Sequence, residues 1–278
     1  MPAATVGERK EAEATAMAAR TPGATPLLRV AGVTVRFGGI VALDGISFDV
    51  ESGLVAGLIG PNGAGKTTLF NCLSRLYRAD EGDILIEGRS IVGASPHAMP
   101  GFGIGRTFQN LALFQTMTVL ENVMVGCHAR TRADFLGSAL RLPWIRGEEA
   151  HARADAIEMI EFLGLEPVAH ATVASLPFGT RKKVELARAL AGRPRLLLLD
   201  EPAGGMNHDA IEELIALIHD IRERLGITVL VVEHHMNLVM RVSDKVIALD
   251  FGRKIADGTP DEVRSDPEVI RAYLGKDA

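Results

Sequence analysis

The sequence predicts an α/β fold in which helices cover both faces of a mostly parallel sheet. Residues 54–59 and 195–199 are short, nearly continuous apolar runs, which are typical of strands buried on both faces. In the last third of the chain such runs alternate with helical apolar stripes, and this alternation indicates parallel strands. The 278 residues, 47% of them hydrophobic and 23% charged, suit one large domain with an inserted subdomain.

Strand signals dominate the first third of the chain. Residues 1–26 are rich in Ala, Thr and mixed charge, and without an apolar run they predict a flexible N-terminal tail rather than a secretory signal. A Gly-containing turn precedes residues 46–50. The remaining signals, in order, are strands at 30–37, 46–50, 54–59 and 82–87, with a helix at about 66–75.

The middle and the end of the chain differ in character. Residues 119–125 and 151–163 have helical spacing, and Gly164 ends the second of these helices. Residues 130–147, with Gly, Pro and the single Trp, show no period and predict an irregular insertion. After them, helices are predicted at 181–191 and 211–225 and strands at 195–199, 227–232 and 245–249.

Composition excludes several classes of protein. The net charge of -5, from 30 basic and 35 acidic residues, gives no clustered basic face, so nucleic acid is not an expected partner. The two cysteines, Cys72 and Cys127, match no metal spacing and exclude a disulfide framework. No run of 18 apolar residues occurs, so no membrane-spanning helix is predicted.

A phosphate-binding loop follows the predicted strand at 54–59. Its glycines let the backbone wrap around an anion, and the N-terminus of the next helix adds a positive dipole end. The Lys charge suits the β- and γ-phosphates, the Thr67 hydroxyl suits Mg²⁺, and Thr68 can reach the α-phosphate. The pattern G-x-x-x-x-G-K-[ST] is matched in full by Gly60, Pro61, Asn62, Gly63, Ala64, Gly65, Lys66 and Thr67.

Two adjacent carboxylates end the apolar run at 195–199. Asp200 is placed to hold Mg²⁺ indirectly, through a bound water or another ligand of the ion. Glu201 points to the other side and can polarise a water for attack on the γ-phosphate. Together with the phosphate loop, this pair predicts an ATP- and magnesium-dependent hydrolytic site.

With these motifs, residues 27–274 resemble the ATP-binding cassette (ABC) ATPases. Four further stretches stand in that family's order: the Q-loop at 106–110, the signature at 176–180, the D-loop at 204–207 and the switch region at 232–235. The resemblance implies that Gln109 senses Mg²⁺, that His234 is the switch histidine and that Phe37 stacks on adenine. It further implies that Phe178 and Gly179 contact the ATP of a second ATP-binding subunit.

The resemblance implies a P-loop NTPase (RecA-like) core with an antiparallel β subdomain and an inserted α-helical subdomain. The core would comprise residues 27–111 and 181–278, and the insertion, with the signature, residues 112–180. The signature departs from the usual Leu-Ser-Gly-Gly-Gln at three positions, with Pro177, Phe178 and Thr180. Pro177 offers a phosphate neither a hydroxyl nor an N–H, so Gly179, nearby amides and the helix dipole remain for this contact.

More narrowly, the chain is similar to the ATPase subunits of branched-chain amino acid importers. The shared stretches are residues 35–43, 106–110, 201–207, 233–236, 257–260 and 273–275, together with the long insertion around Pro143 and Trp144. This implies a peripheral subunit on the cytoplasmic face of the inner membrane, whose ATP hydrolysis drives uptake. Its implied partners are permease subunits, a second ATP-binding subunit of the same or another kind and, indirectly, a periplasmic or extracellular solute-binding protein.

Three alternatives stand beside that interpretation, and the sequence argues against two of them. Importers of urea, amides or another small solute share much of the same sequence pattern. A soluble ABC ATPase without a transport role would need a long coiled coil, zinc hooks or a second cassette, and the sequence contains none of these. A simple P-loop kinase does not account for Gln109, His234 or the signature-like stretch.

The neighbouring His234 and His235 have no Cys or carboxylate at zinc-ligand spacing, so the sequence does not predict a metal site there.

Overall fold

The computed structural model describes residues 25–107, 111–127 and 143–274. The predicted tail (up to residue 24), Gln109 and most of the predicted irregular insertion lie outside these ranges. The strands are β1 (Leu28–Phe37), β2 (Ile40–Val50), β3 (Val55–Ile59), β4 (Glu81–Ile86), β5 (Arg89–Ser90), β6 (Ile104–Arg106), β7 (Leu196–Asp200), β8 (Thr228–Val232), β9 (Lys245–Asp250) and β10 (Arg253–Gly258).

Helices occur directly after the phosphate loop, in the middle of the chain and at its C-terminal end. Short 3₁₀ turns occur at Pro96–Phe102, Glu166–Val168 and Val173–Ser175. The α-helices are α1 (Lys66–Leu73), α2 (Val119–Cys127), α3 (Pro143–Phe162), α4 (Phe178–Ala191), α5 (His208–Leu225), α6 (Met236–Val242), α7 (Pro260–Ser265) and α8 (Pro267–Leu274).

Two sheets organise these elements. The larger has the order β10-β9-β3-β8-β7-β6, and its strands are parallel except for the antiparallel edge strand β10. The smaller is antiparallel, in the order β2-β1-β4-β5. The α/β fold, the mostly parallel sheet and the antiparallel β subdomain are therefore confirmed. The predicted boundaries at residues 111/112 and 180/181 stay a prediction.

Both faces of the larger sheet are buried, because successive side chains along each strand point to opposite faces and pack into different hydrophobic clusters. In β7, Leu196 and Leu198 pack with α1 and the smaller sheet, whereas Leu197 and Leu199 pack with α2 to α6. A third cluster joins β3 and β9 to α6, α7 and α8. The near-continuous apolar runs of the sequence follow from this burial.

Three sequence-based expectations about local structure are wrong. Gly45 lies within β2 rather than in a turn before it. It has φ 64° at a shift in the β1–β2 register, so it is a bulge that lets one long strand continue. Residues 143–147 are helical, because α3 begins at Pro143, and proline is favoured in a first helical turn. Helix α4 begins at Phe178 rather than at residue 181, so residues 178–180 of the signature lie in its first turn.

Helices α2 and α4 cross at very short distance. A Cβ added to Gly126 of α2 would lie 1.9 Å from the Arg188 carbonyl oxygen of α4, so only glycine fits there. Both helices contribute to the same buried cluster as α3. The helical region is thus held by backbone approach as well as by side-chain packing. Within the described ranges, no helix is long and apolar enough to cross a lipid bilayer.

This close crossing predicts opposite effects for two helical glycine substitutions. Gly126→Ala should lower the free energy of unfolding by about 1–3 kcal/mol or more, because its methyl group overlaps backbone. Gly147→Ala in α3 meets no atom within 4 Å and should raise it by up to about 1 kcal/mol through helix propensity. Urea denaturation followed by circular dichroism measures both. Equal effects of the two substitutions would contradict the packing argument.

Candidate nucleotide-binding site

The phosphate loop connects β3 to α1 and depends on glycine at particular positions. Gly60 has φ 152° and Gly65 φ 100°, and a Cβ would lie 2.3 Å from the Leu249 carbonyl oxygen at the first and 2.7 Å from that of Ala42 at the second. Gly63 has φ 82° and open space where its Cβ would be. The loop is therefore packed on its inner side and accessible on its outer side.

Lys66 begins α1 and turns its side chain into the loop. Its Nζ donates to the carbonyl oxygens of Gly60, at 2.6 Å, and Pro61, at 2.9 Å. Burial lowers the pKa of Lys66, and the carboxylate of Glu201 acts in the opposite direction. The structure thus places two predicted site residues near each other, Lys66 at the start of α1 after β3 and Glu201 directly after β7.

The other predicted residues of the loop and of the start of α1 differ in exposure. Asn62 and Thr67 are exposed, Thr68 is half-buried and Ala64 is buried. Gly65 caps α1 without a side-chain hydrogen bond, so the first-turn N–H groups receive no acceptor from the cap residue. Such a helix start favours an anion, as the sequence predicts.

Asp200 lies at the end of β7 in a buried ion pair that the sequence analysis missed. Arg106 Nη2 donates to Asp200 Oδ2 at 2.7 Å, and the two side chains are 8% and 7% exposed. Arg106 Nη1 also donates to Asn71 Oδ1 at 2.9 Å and to Ser74 Oγ, both near the C-terminal end of α1. Arg106 therefore fixes Asp200 against the helix of the phosphate loop, three positions before the undescribed Gln109.

Glu201 follows in a left-handed backbone conformation with φ 47°. Its N–H donates to the Val232 carbonyl oxygen at 2.9 Å, which anchors the turn to the end of β8. His234 Nδ1 lies 4.0 Å from Glu201 Oε2, and the imidazole is half-exposed. The proposed base and the proposed switch histidine are therefore neighbours, although 33 positions separate their numbers in the chain.

Glu233 is a further site residue to which the sequence analysis gave no role. Its carboxylate is fully buried and accepts the N–H of Ala203 at 2.6 Å and that of His234 at 3.1 Å. Backbone N–H donors of this kind stabilise a buried carboxylate. Glu233 thereby joins the loop after Glu201 to the switch region.

Glu233 also lies in a group of three potential metal ligands. One ligand atom each of Glu233, His234 and His235 lies within 4.8 Å of the others. Sequence spacing did not suggest a carboxylate partner for the two histidines, yet the adjacent Glu233 provides one. Because backbone N–H groups already occupy both oxygens of Glu233, a metal ion here would compete with the local fold.

Phe37 lies at the end of β1, and half of its ring is exposed. Tyr77, which follows α1, packs edge-on against it with ring centroids 5.3 Å apart. The adjoining strand β2 reaches the phosphate loop, where Ala42 and Leu43 border Gly65. Phe37 is thus an available stacking surface beside the loop, and its contact with adenine stays a prediction.

The signature stretch opens α4. Pro177 is the N-cap and makes no side-chain cap hydrogen bond, and Phe178 is 47% exposed. Gly179 is exposed, with open space around its Cα. A cavity of about 730 Å³ lies between this helix start, the loop after β7 and helix α5. Within one chain the signature therefore lies beside the segment that follows Glu201.

The C-terminal helix α8 touches the phosphate loop. The Gly60 N–H donates to the Tyr273 hydroxyl at 2.8 Å, although 213 positions separate the two residues. Burial raises the pKa of the Tyr273 phenol. The sequence shows Tyr273 only as part of a resembling stretch, and no local signal points to this long-range contact.

Family models match two parts of the chain. The model described as "ABC transporter" matches residues 43–204, which include the phosphate loop, the signature stretch and Glu201. A second, described as "Branched-chain amino acid ATP-binding cassette transporter", matches residues 253–278. The second match covers β10, α7 and α8, the segment that places Tyr273 on Gly60.

Two relatives match this chain over nearly their whole length. The chain is 42% identical over 251 residues to the high-affinity branched-chain amino acid transport ATP-binding protein BraF of Pseudomonas aeruginosa, covering 90% of this chain and 98% of BraF. It is 38% identical to LivG of Escherichia coli, a protein of the same description, with the same coverage.

Solved structures support the fold assignment. The ADP conformation of MJ1267, an ATP-binding cassette of an ABC transporter, matches with a TM-score of 0.76 at 33% identity, over 90% of this chain and 99% of that one. The dimeric post-hydrolysis state of the cassette MJ0796, bound to ADP and Pi, matches with a TM-score of 0.69 at 25% identity, over 84% and 98% of the two chains.

The buried ion pair predicts a large cost for Arg106→Met. The substitution leaves the Asp200 carboxylate buried without its cation, and the free energy of unfolding should fall by about 3–5 kcal/mol. Arg36→Met removes the exposed pair with Glu81 and should cost less than about 1 kcal/mol. Chemical denaturation of both variants tests this, and a loss below about 1 kcal/mol for Arg106→Met would contradict it.

The contact between Tyr273 and Gly60 predicts a nucleotide-binding effect from outside the loop. Tyr273→Phe keeps the ring and removes the acceptor, so affinity for ATP should fall about 2- to 10-fold, the value of one hydrogen bond. Ser265→Ala removes a hydroxyl in the same C-terminal segment that donates to the carbonyl oxygens of Asp261 and Glu262 within α7, and affinity should stay unchanged. Titration with a fluorescent ATP analogue compares them. Wild-type affinity in Tyr273→Phe would refute the contact's role.

Proposed function

This chain belongs to the ATP-binding cassette (ABC) transporter family, among the branched-chain amino acid transport ATP-binding proteins, and we propose that it hydrolyses ATP to drive import of branched-chain or related amino acids. Cassettes of this family are ATPases that power transport. The two matched family models cover residues 43–204, with the phosphate loop and Glu201, and the C-terminal segment at residues 253–278.

One geometric observation supports the proposed chemistry. The phosphate loop follows β3 and the Asp200–Glu201 pair ends β7, with β8 between these two strands in the sheet. Parallel strands present their carboxyl ends at one edge, where ligands bind in open α/β sheets. Glu201 accordingly lies close enough to Lys66 to influence its pKa.

The residues at this edge have different roles in binding and hydrolysing ATP. The N–H groups of the loop and of the first turn of α1 bind phosphate oxygens, and Lys66 moves from its loop carbonyls to the β- and γ-phosphates. Phe37 stacks on adenine. Glu201 accepts a proton from the attacking water, and His234 beside it orients that water and the γ-phosphate.

The donors present also suit Mg²⁺. The hydroxyl of Thr67 and the carboxylate of Asp200 are hard oxygen ligands, which this ion prefers. Arg106 occupies Oδ2 of Asp200, and Gln109 completes the proposed set from outside the described residues. When bound, Mg²⁺ neutralises phosphate charge. Arg106 and Thr67 then hold the protein side of that site in place.

Dimerisation with a second ATP-binding subunit completes the site. Phe178 and Gly179 open α4, whose uncapped first turn offers N–H donors to the γ-phosphate bound by the partner. Pro177 contributes none, so the contact depends on backbone and dipole. ATP then favours the closed dimer, and hydrolysis removes that preference.

The remaining assignments extend the family's role to this chain. It acts as a peripheral subunit on the cytoplasmic face of the cell membrane, docked on transmembrane permease subunits and served indirectly by a solute-binding protein. Branched-chain or related amino acids are the proposed cargo, because BraF and LivG carry that description. An importer of urea, amides or another small solute is the alternative.

Substitution of the proposed base separates hydrolysis from binding. Glu201→Gln should lower the ATPase rate by about 10²-fold or more and retain ATP binding, whereas Lys66→Ala should lose both. Glu223→Gln, at an exposed position of α5, serves as the matched control and should behave as wild type. Phosphate release and nucleotide titration measure the two properties. Undiminished hydrolysis in Glu201→Gln would refute the assignment.

The same substitution tests the cargo. Introduced into the native gene, Glu201→Gln should abolish high-affinity uptake of radiolabelled leucine and leave uptake of labelled urea intact. The reverse pattern would support the alternative importer. Loss of neither would contradict both leucine and urea as the cargo.

A further inference from the structure

Lys182 occupies an electrostatically unfavourable place. It is the fifth residue of α4, directly after the first turn, where the nearby positive end of the helix dipole disfavours a cation. That turn contains no acidic residue to offset the charge. Partial burial lowers the pKa of Lys182 further from its ordinary value, against the attraction of nearby carboxylates led by Glu233. Its position therefore requires a compensating set of contacts.

Those contacts lie in the loop that follows Glu201. Lys182 Nζ donates to the Pro202 carbonyl oxygen at 2.8 Å and to the Gly204 carbonyl oxygen at 2.7 Å. The same ammonium group lies 5.3 Å from the centroid of the Phe178 ring, within cation–π range. Lys182 thus binds the signature aromatic on one side and the loop on the other.

The loop at residues 202–205 receives contacts from the rest of the site. The Ala203 N–H donates to Glu233, which also accepts the N–H of His234. Gly204 N–H donates back to the Glu201 carbonyl oxygen at 3.2 Å. A contiguous path of hydrogen bonds and packing therefore connects Phe178 through Lys182 and this loop to Glu201 and His234.

We propose that Lys182 is a positioning residue that couples the two ATP sites of the dimer. This inference rests on the proposed function, in which the signature contacts the partner's ATP while Glu201 acts on the ATP of its own chain. Engagement of Phe178 and Gly179 by the partner's γ-phosphate displaces the start of α4. Lys182 transmits that displacement to residues 202–205 and so to the carboxylate of Glu201.

Small movements suffice for this coupling. A displacement of about 1 Å at a catalytic group changes a rate by about 10²-fold, because proton transfer and attack need close alignment. Coupling between two sites commonly changes affinity about 5- to 150-fold. Loss of Lys182 should therefore abolish communication between the sites and leave each phosphate loop able to bind nucleotide.

The test compares ATPase kinetics of the full chain and its variants over a range of ATP concentrations. Wild type should show a Hill coefficient between 1 and 2. Lys182→Met keeps the length of the side chain and removes the charge, and its Hill coefficient should fall to about 1, with kcat at least about 10-fold lower. Its affinity for a fluorescent ATP analogue should change less than about twofold. Lys182→Arg should restore cooperativity in part.

Lys183→Met is the matched control, because Lys183 neighbours Lys182 in sequence and pairs with the exposed Glu213. It should retain wild-type cooperativity. If Lys182→Met unfolds, Phe178→Leu takes its place, since it removes the ring and leaves Lys182, and its Hill coefficient should fall as well. Wild-type cooperativity in a folded Lys182→Met, or in Phe178→Leu where it replaces that variant, would overturn the inference.

A separate measurement tests the premise. Glu201→Gln should dimerise in ATP on size exclusion. If it stays monomeric and wild-type kinetics are hyperbolic, the proposal that two ATP sites pair in a dimer is refuted, and this inference is refuted with it. If dimers form and wild type is cooperative, while Lys182→Met behaves as wild type, only the role of Lys182 fails.

Discussion

Burial of the parallel sheet on both faces is the constraint on which the site depends. Apolar packing above and below β3, β8 and β7 holds these strands in register, and their carboxyl ends then lie at a single edge. The phosphate loop and the Asp200–Glu201 pair emerge there from the two outer strands of the three. Hydrophobic packing of the sheet thus places the starts of the segments that carry Lys66 and Glu201 at the same edge.

Polar contacts then set the details at that edge. Arg106 holds Asp200 against α1, Glu233 holds Ala203, and Lys182 holds the carbonyl groups of Pro202 and Gly204. Each is a charged side chain bound to buried or backbone partners, where charge-assisted hydrogen bonds are strongest. The loop after Glu201 is consequently held by side chains from α4 and from the segment after β8.

The sequence predicted the strands and motifs well, because apolar runs and the glycine pattern of the phosphate loop are local signals. It predicted helical boundaries less well. Pro143 starts a helix where compositional irregularity suggested none, and Phe178 lies inside a helix that was expected to begin at residue 181. Gly45 is a bulge, which only pairing with β1 reveals, since a turn and a bulge use the same residue type.

By itself, then, the sequence determined the α/β fold class, the phosphate loop, the paired carboxylates and the family resemblance, because each depends on local patterns of neighbouring residues. Only the tertiary structure decided which distant groups complete the site: Arg106 on Asp200 across 94 positions, and Tyr273 on Gly60 across 213. Such contacts leave no periodic trace in the chain. They form when sheet order and helix packing bring remote segments within hydrogen-bonding distance.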